Sequence, residues 1–302
     1  MNVKKYLKNP KLLLFYMGMR GWWHQIPDET YLKWMYKLHT GKRLNLEKPR
    51  TFNEKLQWLK LHDCKPEYTL MVDKYEAKNY VAGRIGAEYI IPTLGVWDHV
   101  EEIDFDTLPK QFVMKCTHDS DGLVIVKDKA QMNKAAVKKK IERSLKRNYF
   151  YAGREWPYKN VVPRILAETY MEDKKRQELS DYKVMCFGGE PKLIQIHHGR
   201  FGNHTQDFYD AEWNKLEIIQ GLPMSDEVLE KPVFLEEMLE LSRKLSDGVP
   251  QMRVDWYFVN DRLYFGELTM FDGSGFSEFE PDYWNLELGN WIWLPEIWSE
   301  VM

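Results

Sequence analysis

The stretch from Arg253 to Phe271, RVDWYFVNDRLYFGELTMF, constrains this chain more than any other. Two short runs rich in aromatic and β-branched residues flank a polar turn, the pattern of a β-hairpin. Side chains alternate faces along a strand, so Arg253, Asp255, Tyr257 and Val259 share one face of the first run. Leu263, Phe265, Glu267 and Thr269 share one face of the second. Turn length decides how these faces meet. A three-residue loop, Asn260-Asp261-Arg262, pairs Val259 with Leu263, sets Asp255 opposite Glu267 and sets Arg253 opposite Thr269. A two-residue Asn260-Asp261 turn shifts the register by one and sends the two acids to opposite faces. In the first register, like charges oppose each other across a strand pair, which destabilises a sheet unless a cation lies between them. Carboxylates supplemented by substrate phosphates and water are the usual protein share of a Mg²⁺ site, and a nearby arginine suits a negatively charged transition state.

Composition sets the frame for that hairpin. At 302 residues, 44% hydrophobic and 29% charged, the chain reads as globular and large enough for two or three domains. A net charge of −3 gives no global reason to expect nucleic acid. Cys64, Cys116 and Cys186 are widely separated, odd in number and without metal-ligand spacing, which fits a reducing cytoplasm. No run approaches the length of a membrane-spanning helix. The apolar run Leu12 to Met19 follows Lys4, Lys5, Lys8 and Lys11, a pattern compatible with peripheral membrane association, and no small-residue cleavage site follows it. Nothing in the sequence bears on the oligomeric state.

Along the chain, Tyr31, Leu32, Trp34, Met35 and Leu38 recur at helical spacing from Asp28 to His39, with Gly41 as a stop. Thr51 and Glu54 form a capping box ahead of Leu56, Leu59 and Leu61, and a third helix is expected from Val72 to Arg84. The period then shortens. Extended segments are expected at 88–92, 94–97, 111–116 and 123–127, a basic helix at 133–147, and a further strand at 165–170. A hairpin turning at Gly188-Gly189 and a helix over 226–247 precede the opening feature, and a Trp-rich tail follows it. No repeat or low-complexity linker interrupts this order.

Several segments carry candidate chemistry. Lys115 ends an apolar strand before the loop Thr117-His-Asp-Ser-Asp-Gly122, a way to hold phosphates through an ammonium and backbone N–H groups. Asp119 and Asp121 oppose that use unless turned away or bound to a cation. The strand ending in Glu168-Thr-Tyr170-Met171 offers an edge to a flat base, with Glu168 or Asp181 as acceptors for amino or ribose groups. His197 and His198, being adjacent, point to opposite strand faces and are set aside as joint metal ligands, while Arg200 is an anion candidate. Asp119-Ser-Asp121 is an imperfect version of a glycosyltransferase Asp-x-Asp. The 12 Trp and 17 Tyr leave a glycosyltransferase or carbohydrate-binding protein as the alternative reading, although no true Asp-x-Asp follows an early strand. Aromatics mostly build cores, so their number alone decides nothing.

The order of these pieces resembles the ATP-grasp ligases. The segments RTFNEKLQWLKLHD, DKYEAKNY, FVMKCTHDSDG, DYKVMCFGGEPK and RVDWYFVNDRLYFGELT together resemble the teichuronopeptide-synthesis (TupA-like) branch, from about Thr51 to Gly275. That resemblance implies an α+β ATP-grasp fold in which two α+β subdomains clamp ATP. A mainly helical portion, 1–85, would precede a lid subdomain, 86–166, and a central and C-terminal subdomain with the metal hairpin, 167–302. It implies that Lys74 and Lys115 contact ATP phosphates and that the 117–122 loop, with Asp119, Ser120 and Gly122, is the lid. Glu168, Tyr170 and Met171 would line the adenine site, with Asp181 and Lys183 nearby. Asp255 and Glu267 would hold Mg²⁺, which favours the three-residue loop at the hairpin, with Thr269 in a position where many relatives have Asn, and Arg253, Lys115 and Arg200 would be catalytic. The implied reaction joins a carboxylate to an amine through an acyl-phosphate, on small-molecule substrates such as a sugar carboxylate or amino acid of capsular or cell-wall polysaccharide synthesis. The aromatic stretch Tyr149 to Tyr158, with Arg154, Glu155 and Lys159, suits a sugar or simple packing.

Overall fold

A computed structural model of the protein describes residues 10–120, 122–173, 180–199 and 203–296. It is an α+β fold built on two antiparallel sheets. Helices come first: α1 (Pro10–Met19), α2 (Asp28–Thr40), α3 (Phe52–His62), α4 (Glu67–Val72) and α5 (Glu76–Ile85). The expected terminators act. Gly41 closes α2 in the left-handed region with φ 72°, and Thr51 and Glu54 form the reciprocal capping box that starts α3. The helix expected over 72–84 begins only at Glu76, as α5, and is preceded by the additional short α4. Asp73 lies between them, and its Oδ1 accepts from the N–H groups of Tyr75 and Glu76, which starts α5 afresh.

The first sheet has four strands in the order β1 (Thr93–Trp97), β4 (Ile165–Thr169), β2 (Phe112–Cys116), β3 (Val124–Val126). Helix α6 (Lys134–Leu145), capped by Asn133, lays Val137 and Ile141 on it beside Phe112, Met114 and Ile165. A one-turn α7 (Phe150–Gly153) follows. The second sheet has six strands in the order β10 (Arg262–Thr269), β9 (Gln251–Val259), β5 (Ser180–Phe187), β6 (Glu190–His198), β7 (Thr205–Asp210), β8 (Lys215–Leu216). In chain order the sheets change over between β4 and β5.

Helix α8 (Leu235–Ser246) packs Met238, Leu241 and Leu245 against the six-stranded sheet. The helix expected over 226–247 begins only at Leu235, because Pro232 cannot donate within a helix. Upstream of it Val228 and Val233 are exposed. The tail supplies α9 (Tyr283–Trp291), and β7 and β8 are additional to the expected elements. Helix α2 has a small core of its own, with Tyr31, Leu32, Met35 and Tyr36 packed beside Leu44 and Phe276, whereas Phe52, Leu56, Met71 and Val81 of the later helices join Val184, Val254 and Trp256 of the six-stranded sheet. That shared core fixes α3 to α5 beside the hairpin. No described helix is long and apolar enough to cross a membrane. The lysines at 4, 5 and 8 lie outside the described residues.

Candidate active site

The β9–β10 hairpin turns through Asn260 and Asp261 alone, both with positive φ of 50° and 63°, and Arg262 pairs with Val259. The three-residue loop is therefore corrected to a two-residue turn of the kind whose twist matches the flanking strands. Asp255 nevertheless lies opposite Glu267, and Arg253 opposite Thr269. A bulge between Phe265 and Glu267 inserts one extra residue, Gly266, and restores the pairing that the shorter turn would have lost. A Cβ on Gly266 would stand 3.0 Å from the Asp255 carbonyl oxygen, so the close approach favours glycine.

Asp255 is 2% exposed and held by two cations. Arg253 donates through Nε to Oδ1 at 2.7 Å and through Nη2 to Oδ2 at 2.9 Å, a bidentate fork. Lys183, its register partner on β5, donates to Oδ2. Burial by itself would raise the Asp255 carboxyl, but Arg253 and Lys183 outweigh it and hold the group at about 2. Arg253 reaches further: Nη2 lies 3.3 Å from Glu267 Oε1 and 3.3 Å from Thr269 Oγ1, and Nη1 lies 2.5 Å from Asp272 Oδ1. Burial works against the guanidinium charge, but Asp255 and Asp272 overcome it and push its pKa above the ordinary arginine range. Lys183 also lies 3.3 Å from Asp181, which is buried.

A second carboxylate is gripped on the four-stranded sheet. Glu168, 4% exposed at the end of β4, meets Lys115 of β2 and Lys78 of α5, each at 2.5 Å. Burial would raise its carboxyl, but Lys115 and Lys78 lower it. Lys78 Nζ also donates to the Ile91 carbonyl at 2.6 Å. Lys74 bridges toward the hairpin: its Nζ is 3.9 Å from Glu267 Oε2, and its backbone N–H donates to the Thr117 carbonyl at 3.0 Å. Arg164 ties the same corner by pairing with Asp73 and Glu76. Lys78 and Lys115 thus gather around Glu168, and Lys74, Lys183 and Arg253 around Asp255 and Glu267.

The loop after β2 is arranged differently from its expected reading. Asp119 is 3% exposed, bonded to the Ser144 hydroxyl of α6 and accepting the Gly122 N–H at 3.0 Å. Its carboxylate is turned into the loop's own packing on Ser144 and the Gly122 N–H, which does not suit it as a cofactor or Asp-x-Asp ligand. Ser120 is exposed at the tip, and Gly122 is packed so closely that a Cβ would meet Ser144 Oγ at 2.6 Å. Tyr170 and Met171 are half-buried just past β4. The strap they begin is pinned to the hairpin turn, since Asn260 donates its N–H to Asp173 and its side-chain amide to the Glu172 carbonyl. Arg200 and Asp121 lie outside the described residues. Arg154, offered as a sugar contact, is 1% exposed and bonded to Asp28 and the Trp23 carbonyl, so it is a packing residue.

Lys78 and Asp272 were not read from the sequence. Lys78 had a signal: it follows Lys74 by four positions, which would put the two on one face of the helix expected over 72–84, although the helix starts only at Glu76. Asp272, in the irregular segment after β10, had none. The hairpin face suits a divalent cation by its donor chemistry. Asp255, Glu267 and Thr269 present hard oxygens that converge on one cationic nitrogen, Arg253 Nη2. No cluster of three or more His, Cys, Asp or Glu side chains suited to a metal occurs among the described residues, so any ion there needs further oxygens from a ligand. A surface cleft of about 530 Å³ lined by Tyr89, Phe234, Phe258 and Leu263 lies behind β9, since Phe258 and Asp255 point to opposite faces.

Similar solved structures include two D-alanine–D-alanine ligases and an ATP-grasp ligase. D-alanine–D-alanine ligase from Bacillus anthracis complexed with ATP is 16% identical with a TM-score of 0.38, over 67% of this chain and 54% of that one. The Helicobacter pylori D-alanine–D-alanine ligase is 16% identical with a TM-score of 0.40, over 80% and 69%. The ATP-grasp ligase PsnB, complexed with a phosphomimetic variant of its minimal precursor, Mg and ADP, is 10% identical with a TM-score of 0.37, over 72% and 57%. The chain thus spans little more than half of the first of these. No curated protein sequence matches it. The family model for TupA-like ATP-grasp proteins matches residues 54–293, which takes in both sheets, the lysine cluster and the whole hairpin. The chain therefore belongs to the TupA-like ATP-grasp family.

Proposed function

We propose that this protein is an ATP- and Mg²⁺-dependent carboxylate–amine ligase that forms an amide through an acyl-phosphate. The observation that carries the reading is the convergence of Asp255, Glu267 and Thr269 on Arg253, faced by Lys74 at 3.9 Å from Glu267. ATP binds between the two sheets, which act as the two clamping subdomains. Lys115 and Lys74 meet its phosphates, Tyr170 and Met171 border the base, and Glu168 and Asp181 with Lys183 hold the surrounding charges in place. Asp255 and Glu267, with Thr269, would hold Mg²⁺, which would supply neutralisation of phosphate charge.

A substrate carboxylate oxygen attacks the γ-phosphorus, and the bond to the bridging oxygen of ADP breaks. Arg253 and Lys115 stabilise the charge spread over the transferring phosphoryl oxygens, so the protein works by positioning and electrostatics. The amine nitrogen then attacks the acyl carbon, phosphate leaves with the electron pair of the C–O bond, and the amine proton passes to solvent. The acid is a uronic acid or amino-acid carboxylate of capsular or cell-wall polysaccharide synthesis. The Asp-x-Asp look-alike gives the glycosyltransferase reading nothing, with Asp119 committed to Ser144.

The test is ADP release from MgATP over uronic acids and amino acids crossed with amines, with the product identified by mass. ADP release that requires both an acid and an amine, and that is lost in Asp255→Asn and Glu267→Gln, is the expected outcome. Release that needs the acid alone would reassign the protein as a kinase. Unchanged turnover in both variants would remove the metal assignment.

A further inference from the structure

Helix α3 carries an unusual buried face. Asn53, Gln57 and Lys60 are spaced four and three residues apart, hence on one side of the helix, and are 1%, 0% and 2% exposed. Apolar side chains would ordinarily fill such a stripe, and burying polar groups is costly unless each finds a partner. The side-chain donors of all three reach one place, the segment from Ser274 to Ser277 just beyond the metal hairpin. Asn53 donates to the Ser277 carbonyl at 2.6 Å. Gln57 donates to the carbonyls of Ser274 at 3.1 Å and Gly275 at 2.7 Å. Lys60 Nζ donates to the Ser274 carbonyl at 2.8 Å, with Ser274 Oγ at 3.2 Å and the Gly153 carbonyl at 2.7 Å.

The clasped segment needs holding. Gly273, Ser274 and Gly275 have φ of 54°, 55° and 63°, three left-handed residues in a row, and for Ser274 that conformation costs about 1–2 kcal/mol. A Cβ on Gly275 would stand 2.5 Å from Gln57 Nε2, so helix and loop interlock with no room to spare. Two residues before Ser274 lies Asp272, whose Oδ1 takes Arg253 Nη1 at 2.5 Å and whose Oδ2 takes Gln220 at 2.7 Å. The chain of contacts runs from α3 through a strained loop to the arginine at the centre of the hairpin face.

We propose that the Asn53–Gln57–Lys60 stripe positions Arg253 through the Asp272–Ser277 loop, making Lys60 a positioning residue for phosphoryl transfer although it lies outside the nucleotide cleft. The role of Arg253 rests on the ligase reading above; the clasp itself does not. The stripe explains why a helix ahead of both sheets belongs to the working unit. Lys60 supplies donors to two carbonyls on separate segments, which a neutral apolar residue of equal length cannot do.

Lys60→Met keeps the length of the side chain and removes its donors, and Gln57→Leu serves as the second variant should the first not fold. Two measurements on the full chain decide the matter. Hydrogen exchange of the peptide covering 270–277 reads the clasp without any substrate, and it is expected to rise by about ten-fold or more in either variant. Calorimetric binding compares MgADP with MgADP plus aluminium fluoride, a mimic of the transferring phosphoryl group. The variants should bind MgADP as the parent does and bind the mimic about ten-fold more weakly, a split that general loss of structure would not give. Unchanged exchange overturns the clasp. Faster exchange with undiminished affinity for the mimic overturns the relay to Arg253. A parent that binds neither nucleotide form overturns the ligase reading and the relay with it, while the exchange result still decides the clasp.

Discussion

Two buried carboxylates, Glu168 and Asp255, each hold two cations, yet they are built in different ways. Asp255 takes both partners from its own sheet: Arg253 two residues earlier on β9 and Lys183 directly across on β5. Glu168 takes Lys115 from the neighbouring strand and Lys78 from a helix 90 residues earlier in the chain. The first cluster is an arginine fork reinforced by strand register. The second is a pair of point charges on flexible stems, dependent on how α5 docks. One is a rigid element of the sheet, and the other a tie between the N-terminal helices and the four-stranded sheet.

That contrast can be broken by deletion of each charge. Asp255→Asn leaves Arg253 and Lys183 buried and short of a counter-charge, and should cost about 3–5 kcal/mol of unfolding free energy. Glu168→Gln should cost less, about 2–3 kcal/mol, because Lys78 and Lys115 sit on flexible stems that can swing outward. Chemical denaturation of the two variants measures both, and equal losses would erase the distinction.

Acid titration sharpens the same comparison. A carboxyl whose folded pKa is depressed contributes stability above its unfolded value and loses it as pH falls through the folded one. For Asp255 the window runs from 3.8 down to about 2. Glu168 is also lowered and adds to the loss from the same side. Denaturation series at pH 5 and pH 2 should therefore show the parent losing on the order of 2 kcal/mol more than Asp255→Asn does. A parallel acid limb in the variant would mean that Asp255 is not the group responsible.

The smallest effect is expected at the bulge. Gly266→Ala places a methyl 3.0 Å from the Asp255 carbonyl oxygen and 3.1 Å from the Tyr257 ring, so the strands must part slightly. A loss of about 1 kcal/mol is expected, with weaker MgADP binding measured by calorimetry as Asp255 and Glu267 move apart. No change in either quantity would show that the hairpin absorbs the methyl elsewhere.

Much of the hairpin was legible because strand alternation is a local rule. Residues two apart share a face wherever the strand lies, so Arg253 and Asp255 were bound to meet. The turn was misread by one residue and the error was cancelled by Gly266, an isolated glycine inside a strand pattern, which is itself a bulge signal. Capping at Thr51 and the stop at Gly41 were equally readable, since each acts within one helical turn. Asp119 could not be read, because its burial depends on α6 bringing Ser144 beneath the loop. The helix over 226–234 failed where Pro232 outweighed a suggestive apolar pattern.

By itself, then, the sequence determined the α+β character, the capped helices of the first third and the shared face of the hairpin, all consequences of spacing and short-range bonding. Only the tertiary structure decided that Lys78 meets Glu168, that Asp272 grips Arg253 and that α3 spends a buried polar stripe on the 274–277 segment. Those contacts join residues far apart in the chain. Their energy comes from desolvated charges and carbonyls finding partners when helices and sheets dock, which no local pattern encodes.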